Sequence, residues 1–169
     1  MEDKGEMELS TENQDKAISF PETAALLHGI LFAYEKVVAE LYKGKHKILF
    51  PYIIEEITRI SKIHDLGSVD PNLPLTEKME KLKVFFSNNE LLKGVSFEKI
   101  DEDKYSFNIE ECSFAVAGVH DILEMHGGVC PFALASAAIL SGAMADERYI
   151  DLADSEYTEK GSKTVLKIV

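Results

Sequence analysis

The chain has 169 residues, enough for one domain with a substantial hydrophobic core. Its formal charge of −12 and its pI of about 4.8 argue against nucleic acid as the main partner, because phosphate binding requires a surface rich in lysine and arginine. No apolar run is long enough to cross a bilayer, so we expect no membrane span. Because the N-terminus is acidic and the chain has two cysteines, we expect a reducing, cytoplasmic location.

The first half of the chain predicts an acidic tail followed by helices. Residues 1–17 have almost nothing to bury and are expected to be a disordered tail, and residues 18–169 a single domain. A first helix is predicted between a possible cap at Ser19 and a stop at Gly44. Its apolar stripe consists of Leu27, Leu31, Tyr34, Val38 and Leu41.

Two more helices are predicted before residue 95, and both would cover a sheet or each other. The second begins near Pro51, and its apolar stripe consists of Ile53, Ile57, Ile60 and either Ile63 or His64. The third follows a loop at 64–74 and has Thr76 as a possible cap. Its apolar side consists of Leu75, Met79, Leu82 and Phe86.

The second half alternates apolar and polar residues at 95–111 and again at 148–169, which indicates two β-hairpins. Helical segments are predicted between them at 113–125 and 131–145. The predicted fold is therefore α+β, with the N-terminal helices packed on an antiparallel sheet built from the two hairpins and two further helices between the hairpins.

Residues 112–132 concentrate the groups that bear chemistry, with both cysteines and two of the five histidines. Cys112, His120, His126 and Cys130 are of the types that bind zinc or iron, although their spacing matches no recognised motif. Cys130 precedes Pro131 at a predicted helix start, where a thiol pKa is lowered and a nearby histidine could act as base. Buried core thiols and a simple helix cap are the alternatives.

The segment 131–144 is apolar nearly all round and rich in small residues, so we expect a buried helix. Its small residues allow either close packing or space for an apolar guest. The predicted pocket lies between the first-half helices and the sheet, with His120 as the first choice for a polar contact. Its lining is predicted to be Phe114, His120, Phe132, Leu134 and Ile139.

The C-terminal part, roughly residues 95–169, resembles the 4-vinyl-reductase domain, which is related to the TRAPP vesicle-tethering subunits. The resemblance rests on an apolar helix opened by Cys130 with Gly142 near its end, and on the closing pattern Asp154-x-x-Tyr157-x-x-x-Gly161-x-x-x-Val165. In metal-binding members the closing pattern resembles acid-x-x-Cys-x-x-x-Gly-x-x-x-Cys, and an upstream cysteine completes a zinc site. Here Tyr157 and Val165 stand at the two downstream cysteine positions.

The resemblance implies a compact, often dimeric α+β domain with a cavity for a small hydrophobic molecule, of the stand-alone hydrocarbon-binding type found in archaea and bacteria. Three hypotheses follow. The first is a ligand-binding module with a regulatory or sensing role. The second is a metal- or thiol-dependent enzyme that uses Cys112, His120 and Cys130. The third is a TRAPP-like structural subunit that forms a homodimer through the helices at 24–43 and 51–63.

Overall fold

A computed structural model of the chain describes residues 20–42, 49–65, 67, 69–88, 92–116, 120, 128–144 and 148–169. The predicted tail at 1–17, Ser19 and Gly44 lie outside these residues. The helices are α1 Phe20–Leu41, α2 Phe50–His64, α3 Leu75–Ser87, α4 Ser113–Val116 and α5 Pro131–Gly142. The strands are β1 Leu92–Lys93, β2 Ser96–Lys99, β3 Lys104–Ile109, β4 Glu111–Cys112, β5 Ile150–Leu152, β6 Glu156–Tyr157 and β7 Ser162–Ile168.

The main sheet is antiparallel, in the order β2-β3-β7-β5, with β6 also paired to β7. Both predicted hairpins are present, because β2 pairs with β3 and both β5 and β6 pair with β7. Strand β3 of the first hairpin pairs with β7 of the second, which joins the hairpins into one sheet. In this pairing Phe107 lies opposite Thr164. The α+β fold class is therefore confirmed.

One face of the sheet is covered by α5. Along β7 the residues Ser162, Thr164 and Leu166 are buried, whereas Lys163 and Lys167 are exposed. This alternation places one face of the strand against the core. Helix α5 lies against β5 and β7 on that face, and α2 packs on the other side of α5. The sheet, α5 and α2 thus form three successive layers.

The N-terminal helices differ from the prediction in what they contact. Helix α3 lies against β2, whereas α2 packs mainly against α5, and α1 contacts α4. The predicted stripe of α1 is largely exposed, since Leu27, Tyr34 and Leu41 are 56%, 70% and 73% exposed. The helix period was predicted correctly, but periodicity does not identify the surface that covers an apolar face.

The buried side of α2 is also rotated from the predicted stripe. Phe50 and Ile54 are buried, whereas Ile53, Ile60 and Ile63 of the predicted stripe are exposed. The inward side includes Thr58, whose hydroxyl donates to the carbonyl of Ala138 on α5 at 2.8 Å. A stripe of isoleucines does not include the polar Thr58, so the predicted stripe was turned away from the side that meets α5.

The prediction of Thr76 as the cap of α3 is wrong. Helix α3 begins at Leu75 after Pro74, and no side chain caps it. Proline fixes φ and ends the extended segment, so the helix starts one residue before the predicted cap. Among the described residues, no helix combines the length and the hydropathy needed to cross a bilayer.

We expect Gly161→Ala to lower the free energy of unfolding by about 3 kcal/mol. A Cβ atom at Gly161 would overlap the backbone carbonyl oxygen of Ile109, and backbone cannot rotate away as a side chain can. The matched control is Gly29→Ala in α1, where a Cβ atom meets nothing within 4 Å.

The control should raise the free energy of unfolding by about 0.5 to 1 kcal/mol, because alanine loses less conformational entropy in a helix than glycine does. Urea denaturation of the three proteins measures both effects. Equal urea midpoints for Gly161→Ala and the wild type would contradict the close approach of Gly161 to the backbone of Ile109 in β3.

Candidate functional site

Hydrogen bonds attach the start of α5 to the second hairpin. Cys130 is the residue before α5, and Pro131 occupies its first turn, as the sequence predicts. The backbone N–H of Cys130 donates to Ser155 Oγ at 2.7 Å, and Ser155 Oγ lies 2.6 Å from Thr164 Oγ1 on β7. All three residues are buried, so this chain of bonds fixes the position of the Cys130 side chain relative to the sheet.

The Cys130 thiol lies in a buried, polar corner. Only 2% of the residue is exposed. The Ser162 hydroxyl faces the sulfur and has no nitrogen or oxygen partner among the described residues. No hydrogen bond of standard geometry caps α5, but the N–H groups of Phe132 and Ala133 lie close enough to favour a thiolate. Burial has the larger effect and raises the pKa of Cys130.

Cys112 and Cys130 are both bonded to the second hairpin, although 17 residues lie between them in the chain. Cys112 ends β4, and its backbone N–H donates to the carbonyl of Lys160 at 2.7 Å, two residues before Ser162. Burial raises the pKa of Cys112 to about 11, and the N–H groups of Phe114 and Ala115 oppose this rise. The charge of Cys130 makes the smallest contribution and also raises the pKa of Cys112.

The two cysteines belong to matching segments that the sequence analysis overlooked. Residues 112–115 are Cys-Ser-Phe-Ala and residues 130–133 are Cys-Pro-Phe-Ala, and in each case a helix follows the cysteine. The rings of Phe114 and Phe132 stack with centroids 5.5 Å apart and planes 16° apart. This Cys-x-Phe-Ala repeat is the signal that could have predicted that the two segments pack against each other.

His120 lies against the turn of the second hairpin. Its ring is 3% exposed and meets the Tyr157 ring edge to face, with centroids 5.1 Å apart. Its Nδ1 lies 3.4 Å from the carbonyl oxygen of Thr158. These contacts hold the imidazole beside Tyr157, which is paired across the strands with Ser162, the neighbour of Cys130.

The described residues contain no group of three or more histidine, cysteine, aspartate or glutamate side chains that could hold a metal ion. His126 lies outside the described residues. A zinc or iron site formed by Cys112, His120, His126 and Cys130 therefore stays a prediction.

The zinc ligands implied by the 4-vinyl-reductase resemblance do not fit this structure. Only Cys130 and Asp154 of the four positions have side chains of a usual zinc-ligand type. Cys130 is buried, whereas Asp154 is exposed. Tyr157 is buried and Val165 is apolar, so neither replaces a cysteine. The corner around Cys130 is instead filled by the hydroxyl groups of Ser155, Ser162 and Thr164.

Two grooves run between α2 and α5, each with a volume of about 290 Å³. Both are lined by Thr58 and Gly142, where the helices approach so closely that a Cβ atom on Gly142 would overlap Thr58. The first groove is lined by Thr58, Ser61, Lys62, Asp65, Gly67, Val69, Pro71, Ile139, Gly142 and Ala143. The second is lined by Pro51, Ile54, Glu55, Thr58, Ser141, Gly142, Arg148 and Tyr149.

The five predicted pocket residues separate into different surroundings. Ile139 lines the first groove, and Phe114 and Phe132 form the stacked ring pair. His120 lies against Tyr157, and Leu134 is half-buried on α5. None of these last four lines either of the two grooves.

A buried lysine that the sequence analysis missed supports the first groove. Lys78 of α3 is 5% exposed, and its Nζ donates to the carbonyls of Pro71 at 2.8 Å and Ala143 at 2.7 Å. Both acceptors belong to residues that line this groove. The ammonium therefore joins the loop before α3 to the C-terminal end of α5, where the helix dipole favours a cation.

Comparison of the chain with models of protein families, with curated proteins and with solved structures gives no match.

We expect Cys112 to contribute stability that disappears in alkali. Its pKa is raised from 9.0 to about 11 by burial, so the folded state holds the thiol proton more tightly than the unfolded chain does. The contribution is complete below pH 9 and is lost as the pH rises from 9 to about 11. The difference in free energy of unfolding between the wild type and Cys112→Ala should shrink over that interval, as measured by urea denaturation.

Cys130→Ala should show the same direction of change, because burial also raises the pKa of Cys130. A difference that is independent of pH for both variants would show that the thiols are not desolvated in the fold.

Proposed function

We propose that this chain forms a binding module for a small hydrophobic molecule, with a regulatory or sensing role. The observation that carries the proposal is the first groove between α2 and α5, which combines an apolar floor with polar groups at one side. The resemblance of residues 95–169 to the 4-vinyl-reductase domain supports the same class of function.

The lining of the first groove suits a small apolar ligand with one polar end. Val69, Ile139 and Ala143 provide buried apolar surface. Ser61 and Lys62 come from the last turns of α2, and Asp65 follows its end. Ligand sites commonly have such an apolar lining with a few polar groups that fix orientation. A volume of about 290 Å³ fits a molecule of one or two rings.

The environment of the thiols favours binding over thiol catalysis. A nucleophilic cysteine requires an accessible thiolate. Both Cys112 and Cys130 are 2% exposed, and burial raises the pKa of each. At neutral pH both are therefore protonated and shielded from a substrate.

Titration with naphthalene tests the groove. We expect saturable changes in the NMR signals of the Val69 and Ile139 methyl groups, because both side chains line it. In Ser61→Leu the larger side chain should occupy the space and weaken binding by about tenfold or more, equivalent to about 1.4 kcal/mol.

The matched control is Glu56→Leu, at an exposed position of the same helix α2 that lines neither groove. Its naphthalene affinity should equal that of the wild type. Linear, unsaturable shifts in the wild type, or equal affinity in Ser61→Leu, would contradict the proposed site.

A homodimer is the second proposal, and the exposed apolar surface of the N-terminal helices favours it. On α1, Leu26, Leu27, Ile30, Tyr34, Val37 and Leu41 are all at least 44% exposed. Tyr52 and Ile63 of α2 are 70% and 63% exposed. Apolar patches of this kind commonly mark protein interfaces, and soluble homo-oligomers most often form two-fold dimers.

We expect the wild type to sediment as a dimer at micromolar concentration and Tyr34→Glu to sediment as a monomer, because a carboxylate would be desolvated in the apolar contact. Val84→Glu is the control, since Val84 of α3 is 54% exposed and lies outside α1 and α2. A monomeric wild type, or a shift to monomer in Val84→Glu alone, would contradict this interface.

A further inference from the structure

We propose that the ligand of the first groove is a small apolar acid, whose carboxylate binds beside Lys78 and Lys62. The inference rests on the proposed function, because it names the chemical class of the molecule that the groove binds. It depends on a buried cation at the wall of the groove that has no anionic partner in the part of the chain that the structure describes.

Lys78 brings a positive charge to the wall of the groove. Only 5% of the residue is exposed. Its Nζ donates to the carbonyl oxygens of Pro71 at 2.8 Å and Ala143 at 2.7 Å, and both of these residues line the groove. Among the described residues, Lys78 forms no ion pair with a carboxylate. An ammonium has three N–H donors, and these bonds use two of them.

The helix dipole compensates only part of this charge. Ala143 directly follows α5, and the C-terminal end of a helix carries about half a negative elementary charge. The full positive charge of Lys78 beside it therefore stays partly uncompensated, and burial of such a charge is unfavourable. A neutral donor could join the same two carbonyls without that penalty. A carboxylate in the adjacent groove supplies the missing negative charge and an acceptor for the third N–H.

Lys62 adds a second positive charge from the α2 side of the groove. It belongs to the last turn of α2 and lines the groove. Its Cε would lie 3.5 Å from a Cβ atom on Gly142, the residue before Ala143. The two lysines therefore converge on the C-terminal end of α5. The lining also includes Asp65, whose charge offsets that of Lys62, so Lys78 makes the site net positive.

The charge of the whole chain makes this preference easy to recognise. The formal net charge is −12, so the long-range field of the protein repels anions and attracts cations. Tighter binding of an anion than of a neutral or cationic molecule with the same rings must therefore come from local groups. The two lysines at the groove are the local groups that can provide it.

Titration with naphthoate, naphthalene and naphthylmethylammonium tests the sign of the site. The affinities are measured from the NMR shifts of the Val69 and Ile139 methyl groups, since both side chains line the groove. We expect naphthoate to bind about tenfold more tightly than naphthalene, as a hydrogen bond to a charged group commonly provides. Naphthylmethylammonium should bind least tightly of the three.

Lys78→Met should lower the naphthoate affinity by about tenfold and leave the naphthalene affinity unchanged, because methionine keeps an apolar stem and removes the charge. Lys62→Met should weaken naphthoate by about threefold, since its ammonium is exposed to solvent. Lys81→Met is the matched control, because Lys81 is exposed on α3 and lines neither groove. It should leave both affinities unchanged.

The outcomes separate this inference from the proposed function. Saturable binding of naphthalene at least as tight as that of naphthoate would overturn the preference for an acid and leave the binding function intact. Equal loss of both affinities in Lys78→Met would show that this residue only holds the groove together. If Lys78→Met does not fold by circular dichroism, the ligand order in the wild type and Lys62→Met still decide. Unsaturable shifts with all three ligands would contradict the proposed function and this inference together.

Discussion

The enclosure of α5 is the constraint on which the rest of this structure depends. The helix has no polar face, and Ala133, Ser136, Ala137, Ala138 and Leu140 are completely buried. Such a helix is stable only when it is covered on several sides. The sheet covers one side and α2 another. The small side chains allow both neighbours to approach the helix axis closely.

Polar contacts fix α5 at both ends, where apolar packing alone would let it slide. At its start, the backbone of Cys130 is bonded through Ser155 to Thr164 on the sheet. At its end, Lys78 holds the carbonyl of Ala143. In between, Thr58 of α2 bonds to the carbonyl of Ala138. These buried bonds give the helix one register, and both candidate sites depend on it.

The two sites lie on opposite parts of this fixed helix. The corner with Cys130, Cys112 and Ser162 lies at its N-terminal end, against the hairpins. The grooves lie at its C-terminal half, against α2, where Gly142 meets Thr58. One buried helix thus separates the corner that holds the two thiols from the grooves, and the two regions can be tested independently.

Local patterns in the sequence predicted local structure well. The alternation at 95–111 and 148–169 identified both hairpins, and the Cys130-Pro131 step identified the start of α5. The patterns did not predict which surface covers the apolar face of each helix. In α1, for example, Leu27 and Tyr34 of the predicted apolar stripe remain exposed. Thr58, Ser155 and Lys78 are polar residues whose partners are distant in the chain, so periodicity treats them as surface. The five residues predicted to line one pocket lie in different surroundings for the same reason, because periodicity does not show how α2 crosses α5.

Native-state hydrogen exchange of α5 tests the central claim most directly. If enclosure of this helix holds the fold together, the amides of Ala137, Ala138 and Leu140 should exchange only through global unfolding. Their opening free energy should equal the free energy of unfolding from urea denaturation, and both should fall by the same amount in Ser155→Ala. Exchange of these amides at a markedly lower free energy, or protection unaffected by loss of the Ser155 hydroxyl, would contradict the account.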